Sequence, residues 1–366
     1  MNLLLLDQYS DLGGAQQVLL ELLPTIRQRG WRALVGLPGN GKLCELVRGS
    51  GFAVERIDCG PVARTAQLAA QIAALARSAN ARLVYLNGPR LVPAAALAGL
   101  SCPVMFHSHS RVRLRAARTA AGLALRWMDA RVVANCNFVA AQWRPFVSAD
   151  RIAMVMNGVA GPPDIPQRPA NGPPRIGCIG RISPEKGQRE FVAAAALVHA
   201  SLPECRFAIC GDALFGNSKA QRYAAEVRAA AAGLPVEFRG WEADVYTSLS
   251  EFDVLLVPSV GPEATTRVIP EAFAAGVPVI AFDTGGIPEV VENGVTGVLA
   301  RSVEEMARAT VSLLTGDRER RLSMARAARL DWERRFTLAK FQESILGALE
   351  GATGLGQPAR GCTSRA

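Results

Sequence analysis

The chain has 366 residues, of which 49% are hydrophobic and 6% aromatic, with 41 Lys and Arg against 32 Asp and Glu for a net charge of +9. That length exceeds one core of ordinary size and fits two domains, for which the apolar content supplies ample core. The charge is uneven: residues 1–163 carry 18 Lys and Arg against eight Asp and Glu, whereas residues 164–366 carry 23 against 24.

The amino-terminal MNLLLL lacks a basic flank and meets Asp7 after four leucines, which reads as a first strand and not a secretion signal. A loop over Asp7–Gly14 and a helix over Ala15–Gln28 follow, with Gly13 and Gly14 where backbone amides can approach an anion at a helix start. Strands are expected at Arg32–Gly36, Ala53–Ile57, Leu83–Leu86, Pro103–His107, Ala130–Ala134 and Ile152–Val155. Helices are expected near Lys42–Ser50, Thr65–Ser78, Arg115–Trp127 and Phe138–Phe146. The apolar stretch Leu91–Phe106 holds two prolines and is too short to span a bilayer. The expectation is a cytoplasmic protein, at most peripheral at the inner face of a membrane.

Residues 161–174 are dense in Pro and Gly and read as a linker between an amino-terminal domain (1–160) and a carboxy-terminal domain (175–335). After the linker the βα rhythm restarts: strands at Arg175–Gly180, Cys205–Cys210, Val236–Gly240, Val254–Val257 and Val279–Phe282, with helices over Gln188–Ala200, Lys219–Ala232 and from Arg267. The segment continues through Ile287–Glu292 and Gly297–Leu299 into charged helices. A helix over 336–350 is expected to pack back on the amino-terminal domain, and 351–366 reads as a disordered tail. Short apolar strands alternating with Ala-rich helices predict an α/β fold with parallel sheets covered on both faces, that is, two Rossmann-like domains facing across a cleft.

Two features stand out chemically. Glu263 lies in a loop beyond the strand Val254–Val257 and Glu271 in the first turns of the next helix, where an open parallel sheet binds its ligands. Carboxylates there suit a ligand rich in hydroxyls. The second feature is Arg111, Arg113, Arg115, Arg118, Arg126 and Arg131, crowded into one segment. They fit a solvated helix face, anionic lipid headgroups or a phosphate-bearing acceptor; nucleic acid is disfavoured because no stacking aromatics interleave. The eight cysteines include no CxxC pair and read as core thiols in a reducing compartment.

GRISPEKG (180–187), CGD (210–212), FDVLLVPS (252–259), the Glu263/Glu271 pair spaced E-x7-E, the run EAFAAGVPVIAFDTGGIPEVVENGVTGVL (271–299) and NGV (157–159) together resemble the retaining GT-B glycosyltransferases of family 4, group 1. The resemblance covers nearly all of residues 155–300 and, more loosely, the first half through GGAQ and the His109 region. It implies that Arg181 and Lys186 hold the diphosphate of a nucleotide sugar donor, that Glu271 takes the ribose hydroxyls, and that Glu263 takes a hydroxyl of the transferred sugar. Gly13, Gly14 and Gly211 would join the donor contacts. Ala264, Thr265 and Thr266 stand where family members more often carry a Gly-containing loop, which leaves backbone contact available and donor identity open. Counting from Pro103 prefers His109 over His107 as the histidine near the reacting sugar, whereas His199 reads as structural.

The implied activity is metal-independent transfer of a hexose to an acceptor hydroxyl, with retention and no cofactor beyond the donor substrate. No Asp-x-Asp metal motif occurs. The acceptor, a glycan or glycolipid, would bind the amino-terminal domain. A sugar-nucleotide epimerase and a non-catalytic sugar-nucleotide binder are the alternatives. A dinucleotide dehydrogenase is disfavoured, since no G-x-G-x-x-G follows the first strand.

Overall fold

The computed structural model describes residues 1–165, 172–213, 218–261, 263–316 and 318–354. The chain divides into two units, Met1–Met156 together with the chain from Ala339, and Asn157–Leu338.

Among the described residues the first unit holds seven strands: β1 (Asn2–Asp7), β2 (Arg32–Leu37), β3 (Ala53–Arg56), β4 (Leu83–Asn87), β5 (Val104–Ser108), β6 (Arg131–Ala134) and β7 (Ile152–Met154). All pairings are parallel, in the order β3-β2-β1-β4-β5-β6-β7. Helices cover both faces of such a sheet, so its central strands are apolar without alternation; Leu3, Leu4, Leu5 and Leu6 of β1 are all fully buried. Trp143, Tyr85 and Phe106 are the largest side chains of this core, with the Trp143 indole donating to Ser108 Oγ at 2.8 Å. The closing helix Leu338–Thr353 belongs to this unit. It buries Phe341, Ile345, Leu346 and Leu349, and Gln342 Nε2 donates to the Glu21 carbonyl at 2.9 Å.

The second unit holds β8 (Arg175–Ile179), β9 (Arg206–Cys210), β10 (Val236–Gly240), β11 (Val254–Val257), β12 (Val279–Phe282) and β13 (Gly297–Ala300). They too are parallel, in the order β10-β9-β8-β11-β12-β13. Phe191 and Phe207 pack edge to face at 6.3 Å in its core. In both sheets the order reverses beside the first strand, between β1 and β4 and between β8 and β11. Such a reversal splays adjacent connections apart and leaves a crevice at the carboxyl strand ends.

Several expected boundaries move. Residues 159–163, expected to close one domain and begin a linker, are bound into the second unit. Val159 N–H donates to the Phe336 carbonyl at 2.9 Å, Ala160 accepts from the Tyr246 hydroxyl, and the Pro162 and Pro163 carbonyls accept from Arg329 at 3.1 and 3.3 Å. Proline lacks a donor but its carbonyl remains a good acceptor, so composition alone did not separate a bound strap from a free linker. Residues 166–171 of that stretch lie outside the described residues. A helix not expected from the prolines forms at Leu91–Leu97, because Pro93 sits in its first turn, where its missing N–H costs nothing. The expected helix over 138–146 is regular only at Asn137–Ala140, and Ile287–Glu289 is a single 3-10 turn. The expected tail starts too early: the last described helix runs through Thr353, and residues 355–366 lie outside the described residues.

Phe191 is fully buried, so Phe191→Ala is expected to destabilise the second unit by about 3–5 kcal/mol. The check is the midpoint of urea unfolding followed by circular dichroism; an unchanged midpoint would contradict this core assignment.

Candidate functional site

In the second unit the chemistry gathers where β8 and β11 end. The chain leaves β8 at Gly180, makes a turn over Pro184–Lys186 and enters the helix Gln188–Ser201 through Gly187. Gly187 has φ +72°, and a Cβ there would stand 1.7 Å from the Pro258 carbonyl oxygen, so only glycine lets the β8 loop lie against the β11 loop. Buried Gln188 braces the loop from beneath: its Nε2 donates to the Arg181 carbonyl at 3.0 Å, and its Oε1 accepts from Ser183 N–H at 3.3 Å. Across the gap, Val260 N–H donates to the Glu185 carbonyl at 3.2 Å.

This clamp brings predicted residues together. Lys186 Nζ lies 2.9 Å from Glu263 Oε1 and 3.2 Å from Thr266 Oγ1. Glu263 is itself fixed by the β12 loop, where Gly286 N–H donates to its carbonyl at 2.9 Å. Gly285, at φ +60°, leaves room for that carbonyl; a Cβ would come within 1.9 Å of it. Ala264 and Thr266 are buried, and Thr265 Oγ1 is enclosed with no hydrogen-bond partner among the described residues. Arg181 stands on the same loop as Lys186, with its guanidinium 2.9 Å from Glu185. Glu271 occupies the first turn of the helix Val268–Ala274, 3.6 Å from Arg267 Nε, and Arg267 also donates to the Gly158 carbonyl at 3.2 Å. Gly211, just past β9, donates to the Gly240 carbonyl at 2.6 Å, and Asp212 accepts from Ile182 N–H at 2.9 Å, which ties the β9 end to the same loop.

In the first unit a second polar cluster fills the reversal between β1 and β4. Gly13 is extended and precedes the helix Gly14–Gln28, whose start carries no side-chain cap. Beside it the fully buried Asp7 accepts from Tyr9 N–H at 2.9 Å, from Gln16 Nε2 at 2.9 and 3.1 Å, and from Asn87 Nδ2 at 2.5 Å. The Asn87 amide also donates to the Ala15 carbonyl at 3.0 Å. That orientation leaves its oxygen to accept from His109 Nε2 at 2.6 Å, which puts the His109 proton on Nε2. His109 Nδ1 is enclosed and has no partner among the described residues. His107 is a different kind of residue, fully buried within β5 and paired through Nδ1 with the Tyr85 hydroxyl. The two rings lie 3.9 Å apart. Burial draws the pKa of His109 down, and burial together with that neighbour draws down His107, so both are neutral near pH 7.

Sequence reasoning missed Asp7, Gln16 and Asn87 as members of this cluster. The signal available was an acid directly after four leucines, since a carboxylate at the end of a buried strand must find donors.

The family described as Glycosyl transferases group 1 matches residues 173–316, and that described as Glycosyltransferase Family 4 matches residues 12–160. A 2-deoxystreptamine glucosyltransferase of Streptomyces kanamyceticus is 35% identical over 170 residues, covering 45% of this chain and 42% of that one. A GDP-mannose-dependent alpha-(1-6)-phosphatidylinositol monomannoside mannosyltransferase of Mycobacterium tuberculosis is 33% identical over 174 residues, covering 43% and 42%. The matched stretch thus spans less than half of each of these relatives. Among solved structures, Anabaena HepE in complex with UDP superposes with a TM-score of 0.84 at 26% identity, over 96% of this chain and 100% of that one. The same protein in complex with UDP-glucose gives a TM-score of 0.83.

Burial pushes Asp7 up from 3.8 to about 6, against the lowering effect of its hydrogen bonds to Asn87, Tyr9 and Gln16. The folded chain therefore holds a proton that the unfolded chain has released, and stability is lost as pH rises from about 4 to about 6, by about 3 kcal/mol in all. Asp7→Asn is expected to remove this contribution, which urea midpoints of both proteins at the two ends of that window would reveal. An equal pH slope in the variant would contradict it.

Proposed function

The chain belongs to the group 1, family 4 glycosyltransferases of the GT-B fold, and from that premise we propose that it transfers a hexose from a nucleoside diphosphate sugar to an acceptor hydroxyl, with retention and without a metal ion. The observation that carries this reading is the meeting of Lys186, Glu263 and Thr266 at the β8/β11 reversal of the second unit.

The Lys186 ammonium and the Glu263 carboxylate pair at 2.9 Å. A donor offers both of them better partners. Its diphosphate takes Lys186, joined by Arg181 from the same loop, and its sugar hydroxyls donate to the Glu263 oxygens so released. Glu271 takes the ribose hydroxyls, and the backbone of Ala264, Thr265 and Thr266 lines the same edge. The bond from the anomeric carbon to the diphosphate breaks heterolytically through an oxocarbenium-like state, with the electron pair going to the phosphate oxygen. Arg181 and Lys186 stabilise that growing charge, which is where a preorganised cation contributes most. The acceptor hydroxyl attacks from the side the diphosphate leaves, and its proton passes to the departing phosphate oxygen. Acceptor recognition is assigned to the first unit, with His109 as the histidine near the reacting sugar. Support for a nucleotide sugar comes from the UDP and UDP-glucose complexes of Anabaena HepE and from the GDP-mannose-dependent relative.

UDP-glucose and GDP-mannose are the first donors to try by thermal shift, because a ligand of the native state raises its melting point by mass action. With the donor so found and a range of acceptors, release of nucleoside diphosphate is expected to depend on acceptor and to persist in EDTA. Arg181→Ala and Lys186→Ala should each lower turnover by about two orders of magnitude. A double variant turning over at the parental rate would reject the site, and acceptor-independent conversion of the donor would reject transfer.

A further inference from the structure

The arginine-rich segment of the first unit supplies none of the residues given a role above, and its surface has a character of its own. From Arg111 to Met128 there are five arginines (Arg111, Arg113, Arg115, Arg118 and Arg126) and no acidic residue. The helix Arg115–Trp127 buries Ala121, Gly122 and Leu125 against the unit. Its outer side leaves large apolar groups in solvent: Leu114 is 74% exposed, Leu123 54% and Trp127 71%. Leu123 and Trp127 are four residues apart and share one face. An exposed tryptophan and leucine costs solubility unless something apolar covers them.

Next to this face lies a cavity of about 420 Å³ walled by Arg111, Arg115 and Arg118 together with Phe138, Gln142 and Phe146. It is a held shape. Gln142 accepts from Val112 N–H at 2.9 Å and donates to the Ser110 carbonyl at 3.0 Å, and the Arg111 guanidinium lies 5.5 Å from the Phe138 ring centre. A Cβ on Gly122 would collide with the Phe146 ring, so the helix seats directly on that wall. Three guanidinium groups around one concavity suit a phosphate, which arginine recognises through paired N–H donors.

We infer that the segment Arg111–Trp127 docks on a phospholipid bilayer of net negative charge, with Leu123 and Trp127 entering the headgroup boundary and a lipid phosphate seated among Arg111, Arg115 and Arg118. Charge complementarity selects the partner: cations beside an apolar stripe ending in tryptophan match an anionic interface, where indole rings settle and arginines meet phosphate. The inference is independent of the transfer reaction, because it requires neither donor nor turnover.

The test is sedimentation of the 366-residue chain with vesicles of phosphatidylcholine alone or mixed with phosphatidylglycerol. Binding is expected only with the mixed vesicles, accompanied by a blue shift of tryptophan emission, and weakening as salt rises. Arg111→Gln/Arg115→Gln/Arg118→Gln should weaken it roughly a hundredfold, at about fivefold per charge near the surface. Leu123→Gln/Trp127→Gln should abolish the emission shift and leave only salt-sensitive binding. Equal binding to uncharged vesicles, or two variants that bind as the parent does, would overturn the inference. So would full release by millimolar inorganic phosphate, which would mark a soluble ligand, or a dimer dissolved by Leu123→Gln/Trp127→Gln, which would mark a second copy as the cover.

Discussion

Parallel strands covered by helices on both faces have no side on which to display a charge, so polar chemistry is driven to their ends. Both sheets obey this constraint. The interiors of β1, β8 and β11 are almost wholly apolar, and the ionisable groups collect at the carboxyl ends where the strand order reverses. Asp7 and Asn87 close the first reversal; Lys186 and Glu263 close the second. The topology fixes where a site can be, and loop residues decide what it can do.

The two sites solve the problem of charge near a core differently. At β1/β4 a single carboxyl is surrounded by neutral donors, and burial moves its titration upward against their pull. At β8/β11 opposite charges meet directly on half-buried side chains. A paired lysine and glutamate hold each other in place, yet neither is so deeply enclosed that separating them costs what a fully dry pair would. That balance suits groups that must change partners when an anionic, hydroxyl-rich ligand arrives.

Much of this was legible in the sequence, for identifiable reasons. Leu3 to Leu6 and Val254 to Val257 announce buried strands because unbroken apolar runs of that length have few other uses. Glu263 could be placed because it follows such a run by a few residues, and Lys186 because GRISPEKG resembles the family's diphosphate loop. What the sequence hid was long-range pairing. Asn87 gains its meaning only from Asp7 and His109, 80 and 22 residues away, and no local pattern encodes that. The stretch 159–163 was misjudged for a related reason: its carbonyls accept from Arg329 and Tyr246 and its Val159 N–H donates to the Phe336 carbonyl, all far along the chain. Pro93 misled in the opposite direction, since a helix breaker is harmless in a first turn.

The return of the chain to the first unit through Leu338–Thr353 has a consequence for biosynthesis. Every residue of the second unit has been polymerised before Phe341, Ile345 and Leu349 exist to seal the first. The portion made earliest is therefore finished last, and on the ribosome its uncovered patch beside Glu21 must wait for the final helix. A nascent chain in that condition presents apolar surface for the whole time the second unit takes to be translated, the interval in which chaperones act.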